Sequence, residues 1–224
     1  MSPDPLRQLQ DSIVRLLKYR PFYGHFLLQF RRRHFSGNKA VATTITDALP
    51  TLLVNPDRYA LFSPAEQEAL LEHLIKHILH LHPCRRRERS ARQWDLACDL
   101  AINPGIANLP PEAVLPRRFR LADGLAAEEY YAKLLLIPEL GNHQNSGAGE
   151  IQAERSGDND DSERQDEAAN HQPATIDDHR HWSAADRTPV SLSEQVVRQM
   201  VQSAWQKSHG ESPGELQALI DPFC

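Results

Sequence analysis

Apolar residues recur at helical spacing from the start of the chain. Leu6, Leu9, Ile13, Leu16 and Leu17 form one stripe over residues 5–19, and Pro21 ends it. The stretch FYGHFLLQFRRRHF is apolar at first and then alternates weakly, which predicts a short helix running into a strand. AVATTIT (40–46) is compact and β-branched. Asp47-Ala48 makes a turn, and TLLV (51–54) is the hairpin partner, closed by Asn55-Pro56. Ser63-Pro64-Ala65-Glu66 then supplies a helix start, with Ser63 as N-cap, Pro64 in the first turn and Glu66 completing a capping box. The helix it opens is expected to run through Ala69, Leu70, His73, His77 and His80 to a stop at Pro83.

Three more helices are predicted, over 93–102 (closed by Asn103-Pro104), 126–136 and 193–207. The last carries Val196, Val197, Met200, Val201 and Trp205 on its apolar side. Residues 141–174 show no apolar periodicity, are rich in Gly, Ser, Asn, Asp, Glu and Gln, and read as a disordered acidic insertion. The expected fold class is α+β and mostly helical, with helices packed on a small β-hairpin or sheet. Residues 1–140 would form the main domain, and 175–224 a C-terminal helical segment packing back on it.

Composition narrows the function classes. With 40% apolar and 25% charged residues, the chain is of ordinary globular type, and no run of eighteen apolar residues suggests a membrane span. MSPDPLRQLQDSIVRLL lacks the order of a signal peptide, so Cys84, Cys98 and Cys224 are expected to be reduced thiols in a cytoplasmic protein. The net charge of −5 is unevenly spread. Residues 150–178 hold ten acidic residues and two arginines, which leaves the remainder at +3. The clusters Arg31-Arg32-Arg33 and Arg85-Arg86-Arg87 read as solvated surface, with no binding motif or interleaved aromatics to support nucleic-acid recognition. There is no G-x-S-x-G and no phosphate-cradling glycine loop.

The candidate chemistry lies in LEHLIKHILHLH (71–82). At about 100° per residue, His77 lies about 40° from His73 and His80 about 20° to its other side, while His82 would point away. Either His73 and His77, or His77 and His80, could share one metal ion; the first spacing is far commoner in zinc sites. The competing reading is of helix-face histidines with satisfied hydrogen bonds. Asp99 sits among apolar neighbours at helical spacing, where an unpaired carboxylate is costly, so a metal or a hydrogen-bond partner would account for it. A surface charge is the alternative.

Three segments together resemble a known family: PFYGHFLLQF, LLVNPDRYALFSPAEQEALLEHLIKHILHLH and RQWDLACDLAINPGI. They are similar to the bacterial metallopeptidase-like domain found N-terminal to von Willebrand A-like domains. That family carries H-E-x-x-H-x-x-x-x-H followed by W-x-x-A-x-D-x-x-I-N. The first pattern falls on His73, His77 and His82, and the second on Trp94, Ala97, Asp99, Ile102 and Asn103. Asp178-His179-Arg180-His181-Trp182 resembles the family's D-H-x-x-W element. Two departures stand out. Leu74 occupies the place of the glutamate that would take a proton from metal-bound water, and the von Willebrand A-like half is expected to be absent from this chain. Glu72, about 200° round the helix from position 74, cannot replace that base.

The resemblance implies zincin-like helices and a zinc ion held by His73 and His77, with Asp99 as the favoured third ligand and His179 or His80 as alternatives. It also implies a pseudo-enzyme acting as a binding or scaffold subunit, with a von Willebrand A-like protein and a MoxR-type ATPase as partners. An active zinc hydrolase with an unconventional base and a metal-free helical adaptor are the alternative functions.

Overall fold

In the computed structural model, the described residues are 7–141, 175–211 and 214. The segment read as a disordered acidic insertion falls beyond them from residue 142 to 174, as do Leu6 and Cys224. The architecture is α+β and mostly helical. In chain order the helices are α1 (Arg7–Tyr19), α2 (Pro21–Leu27), α3 (Pro56–Tyr59), α4 (Pro64–Leu79), α5 (Ala91–Ile102), α6 (Ala127–Leu134), α7 (Pro138–Gly141) and α8 (Val190–Lys207). The strands are β1 (Arg31–His34), β2 (Val41–Thr46) and β3 (Leu49–Val54). Short 3-10 segments include His82–Cys84 and His179–Arg187.

The three strands form one sheet in the order β1-β3-β2. β2 and β3 pair antiparallel, with Thr46 opposite Leu49, so Asp47 and Ala48 alone close the hairpin. Both have positive φ (52° and 63°), as a turn whose twist matches that of the flanking strands requires. β1 pairs parallel with β3, placing Arg31 opposite Thr51. The arginines of β1 lie mostly exposed along the sheet edge, where charge discourages pairing with another chain. Nothing local in the sequence announces this parallel pairing.

α4 starts as its capping box dictates. Ser63 accepts from the Glu66 amide, and the Glu66 carboxylate accepts from the Ser63 amide. Its end differs from expectation, because the helix stops at Leu79 and His80 is its C-cap. Leu81 then takes a left-handed conformation (φ 53°) and turns the chain back on the helix. Residues 82–84 therefore do not continue the helical wheel.

The main core gathers Leu16 of α1, Phe22 and Phe26 of α2, Leu52 of β3, Leu70, Leu74 and Ile78 of α4, and Val201 of α8. A second cluster, from α5, α6 and the loop between them, contains Leu96, Leu100, Val114, Tyr130 and Leu134. Trp94 and Trp182, both buried, pack with Cys98 and Ala127 in a third. Cys84 and Cys98 are buried free thiols. Among the described residues, no helix is long and apolar enough to cross a membrane.

Gly24 of α2 packs directly against the backbone of α1. A Cβ there would stand 2.6 Å from the Leu17 backbone nitrogen and 2.7 Å from its Cα, and backbone atoms cannot swing aside. Gly24→Ala is therefore expected to destabilise the protein by about 2 kcal/mol in urea unfolding, despite alanine's better helix propensity. An unchanged midpoint would show that the two helices can part at no cost.

Candidate metal centre

α4, α5 and the segment entering the 3-10 helix His179–Arg187 converge on one buried point. α4 supplies His73 and His77, one turn apart on the same face. α5 supplies Asp99, with Asp95 and Asn103 four residues to either side. The third contribution comes from beyond residue 174. The Asp178 amide donates to Val41 O of β2 (3.1 Å), and the backbone at Asp178 is extended (φ −104°, ψ 100°). Alternate side chains of an extended chain project to opposite sides. Asp177 and His179 thus both face the helices, while Asp178 turns away to pair with Arg180 and cap the 3-10 helix.

His73, His77, Asp99, Asp177 and His179 each offer one ligand atom, and those five atoms all lie within 4.8 Å of one another. His73 Nε2 and His77 Nε2 are 3.0 Å apart, and Asp99 Oδ1 is 3.2 Å from His77 Nε2. Asp177 Oδ1 lies 3.1 Å from His73 Nε2 and 2.8 Å from His179 Nε2. Asp99 Oδ1 is 3.5 Å from His179 Nε2 and 3.7 Å from His73 Nε2. Donors about 2.1 Å from one cation are separated by about 3.0 Å at right angles and about 3.4 Å at tetrahedral angles. The observed separations span that range.

The electrostatics ask for a cation. All five residues are 0–4% exposed, so two carboxylates are shut away with imidazoles for company. Both Asp99 oxygens, Asp177 Oδ2 and both His179 nitrogens make no hydrogen bond, although buried polar atoms in folded proteins nearly always do. Burial pushes the Asp99 carboxyl up to about 6, against the pull of His179 and His73. Burial also opposes ionisation of Asp177, yet His179 and His73 together hold its carboxyl well below the usual range. His179 would be lowered by burial, but Asp177 and Asp99 raise it to about 10. A divalent ion would balance the two carboxylates, leave three neutral imidazoles as nitrogen donors and give Asp99 Oδ1 and His179 Nε2 a partner. Such an N3O2 set suits borderline ions of the zinc, iron and manganese kind.

The sequence-derived candidates divide here. His73, His77, Asp99 and His179 are brought together. His80 is not among the five; it caps α4 and stacks on His82 with ring centroids 5.3 Å apart. Asp177 escaped the sequence reading, although its placement two residues before a histidine in an extended segment is the signal that could have found it. His82 was expected to point away. The left-handed turn at Leu81 instead returns it to His77, with 3.0 Å between their Nδ1 atoms. Leu74 is fully buried within the main core, and Glu72 is committed to Arg20 and Lys76.

The family description "putative metallopeptidase domain" matches residues 6–224. The chain belongs to this family. No curated protein and no solved structure matches it significantly. Within the metallopeptidase-domain family, this chain thus has a buried histidine–aspartate cluster able to hold a metal ion, with Leu74 directly after its first histidine.

Proposed function

We propose that this metallopeptidase-family domain binds one divalent transition-metal ion, zinc being the first candidate, without peptidase activity. His73, His77, Asp99, Asp177 and His179 are its ligands in this reading. The observation that carries it is the convergence of five buried donor atoms within 4.8 Å, two of them oxygens of buried carboxylates packed among imidazoles. Catalytic zinc sites use three protein ligands and keep a position for water, where the ion acts as a Lewis acid and lowers the water's pKa. Five protein donors exceed that number and compete with water for the ion. Leu74 removes the group that would accept the proton.

The ion's role is then architectural. It ties α4 and α5 to residues 177–179, across the segment 142–174 that separates them in sequence. A domain held this way serves as a binding or scaffold subunit. The family resemblance supplies its candidate partners, a von Willebrand A-like protein and a MoxR-type ATPase, and co-purification tests them.

Elemental analysis of the purified protein, paired with an assay on an unfolded protein substrate, tests the reading. One equivalent of transition metal per chain and no cleavage are expected, with the metal content reduced in His73→Ala, whose four remaining donors still bind added zinc more weakly. Protein that carries no metal and takes up no added zinc would overturn the proposal. So would cleavage that disappears in His73→Ala.

A further inference from the structure

Asn103 closes α5, and its side-chain amide is oriented by a second contact. Its Nδ2 donates to Val114 O at 2.8 Å, and a carbonyl can only accept. Oδ1 must then be the atom that faces His73 Nδ1, 2.9 Å away, so His73 donates from Nδ1. A neutral imidazole with its proton on Nδ1 carries its lone pair on Nε2, the nitrogen turned toward Asp99 and Asp177. For His77 the direction follows from the metal-binding reading, since a lone pair turned to the ion at Nε2 puts the proton on Nδ1. Its Nε2 faces Asp99 Oδ1, and its Nδ1 stands 3.0 Å from His82 Nδ1. The buried His82 is anchored by Trp94, whose Nε1 donates to the His82 carbonyl at 3.2 Å. His179 has no comparable support, since the nearest carboxylate to its Nδ1, that of Asp95, is 3.9 Å away.

We infer that Asn103 and His82 are positioning residues for a metal ion: each accepts the Nδ1 proton of one α4 histidine and thereby presents its Nε2 lone pair to the ion. The inference rests on the metal-binding reading above, and it gives a physical reason for the four-residue spacing between Asp99 and Asn103. The same face of α5 delivers a ligand and, one turn later, the acceptor that fixes another ligand's tautomer.

A thermodynamic cycle on the full chain tests it, with zinc affinity measured by chelator competition. Asn103→Leu is expected to weaken zinc binding by about 10- to 100-fold, the usual cost of losing an outer hydrogen-bond partner. Asn103→Asp, which still accepts from Nδ1, should recover most of that loss. In a His73→Ala background, Asn103→Leu should cost nothing further, because the ring it positions is gone. His82→Phe paired with His77→Ala should behave alike. A purely structural role predicts the same loss in both backgrounds, and that result overturns the inference. Unchanged affinity in Asn103→Leu, or equal losses in the Leu and Asp variants, also overturns it. Wild-type protein that fails to bind zinc rejects the metal reading itself, so the two failures are distinguishable.

Discussion

Stripping the metal with a strong chelator is expected to lower the melting temperature by about 5–10 °C and to make residues 175–187 the first part of the chain to exchange its amides. An ion that binds only the folded state stabilises it by about 2.7 kcal/mol when its free concentration is a hundred times Kd. For a chain of this size each kcal/mol shifts the midpoint by about 2–4 °C. The location of the effect follows from where the donors sit. On the proposed reading, residues 177 and 179 join α4 and α5 through the ion. Apart from the ion, their segment is anchored by the Asp178 amide on Val41 O, by Thr44 Oγ1 donating to His181 O at 2.7 Å, by Lys39 Nζ on Thr175 O, by the Arg86–Asp186 ion pair and by the burial of Ile176, Trp182 and Ala185. Without the cation, two carboxylates remain buried among imidazoles, and the cheapest relief is for this segment to lift and admit water. α8 should stay protected. Val197, Met200, Val201 and Ala204 belong to the main core, and Gln29 Nε2 donates to Met200 O at 3.0 Å. Mass-spectrometric exchange with and without chelator reads both regions at once. Identical melting curves and identical exchange maps would mean that no ion holds the segment.

What was legible in the sequence was local. The capping box at Ser63 and Glu66, the turn at Asp47-Ala48 and the helical stripes each rest on residues within a few positions of one another, and each takes its expected form. The pairing of His73 with His77 was legible for the same reason, since one helical turn is a fixed distance. Asp99 stood out as a carboxylate in an apolar register. What escaped depended on contacts distant in sequence or on backbone conformations that side-chain type does not announce. A leucine in a left-handed conformation is uncommon, so nothing marked Leu81 as the residue that sends His82 back to His77. Asp177 reaches the site from beyond residue 174 beside His179, which was a candidate ligand in the sequence but whose spacing could not place it. Their approach is set by a backbone hydrogen bond to β2, which no pattern of side chains records. The parallel alignment of β1 with β3 belongs to the same class.

Restoring the peptidase glutamate is expected to damage the fold without creating activity. Leu74 is fully buried and packs in the core that also holds Leu70, Leu71, Ile75 and Ile78. A carboxylate there has no evident partner. Arg20 and Lys76, cations placed by the same stretch of α4, already serve Glu72, and Lys76 Nζ also donates to Gly105 O at 2.9 Å. Leu74→Glu should therefore cost about 3–5 kcal/mol, the scale of an uncompensated buried charge. Leu74→Met, which keeps volume and polarity, should cost less than about 1.5 kcal/mol. Denaturant unfolding of the two variants measures the difference. No cleavage is expected for a separate reason: a general base needs a metal-bound water to deprotonate, and on the proposed reading up to five protein donors compete with water for the ion. A Leu74→Glu protein as stable as wild type that cleaves unfolded substrate would reverse both arguments. Position 74 would then face an open coordination site, and the leucine would be the one obstacle between this domain and a working peptidase.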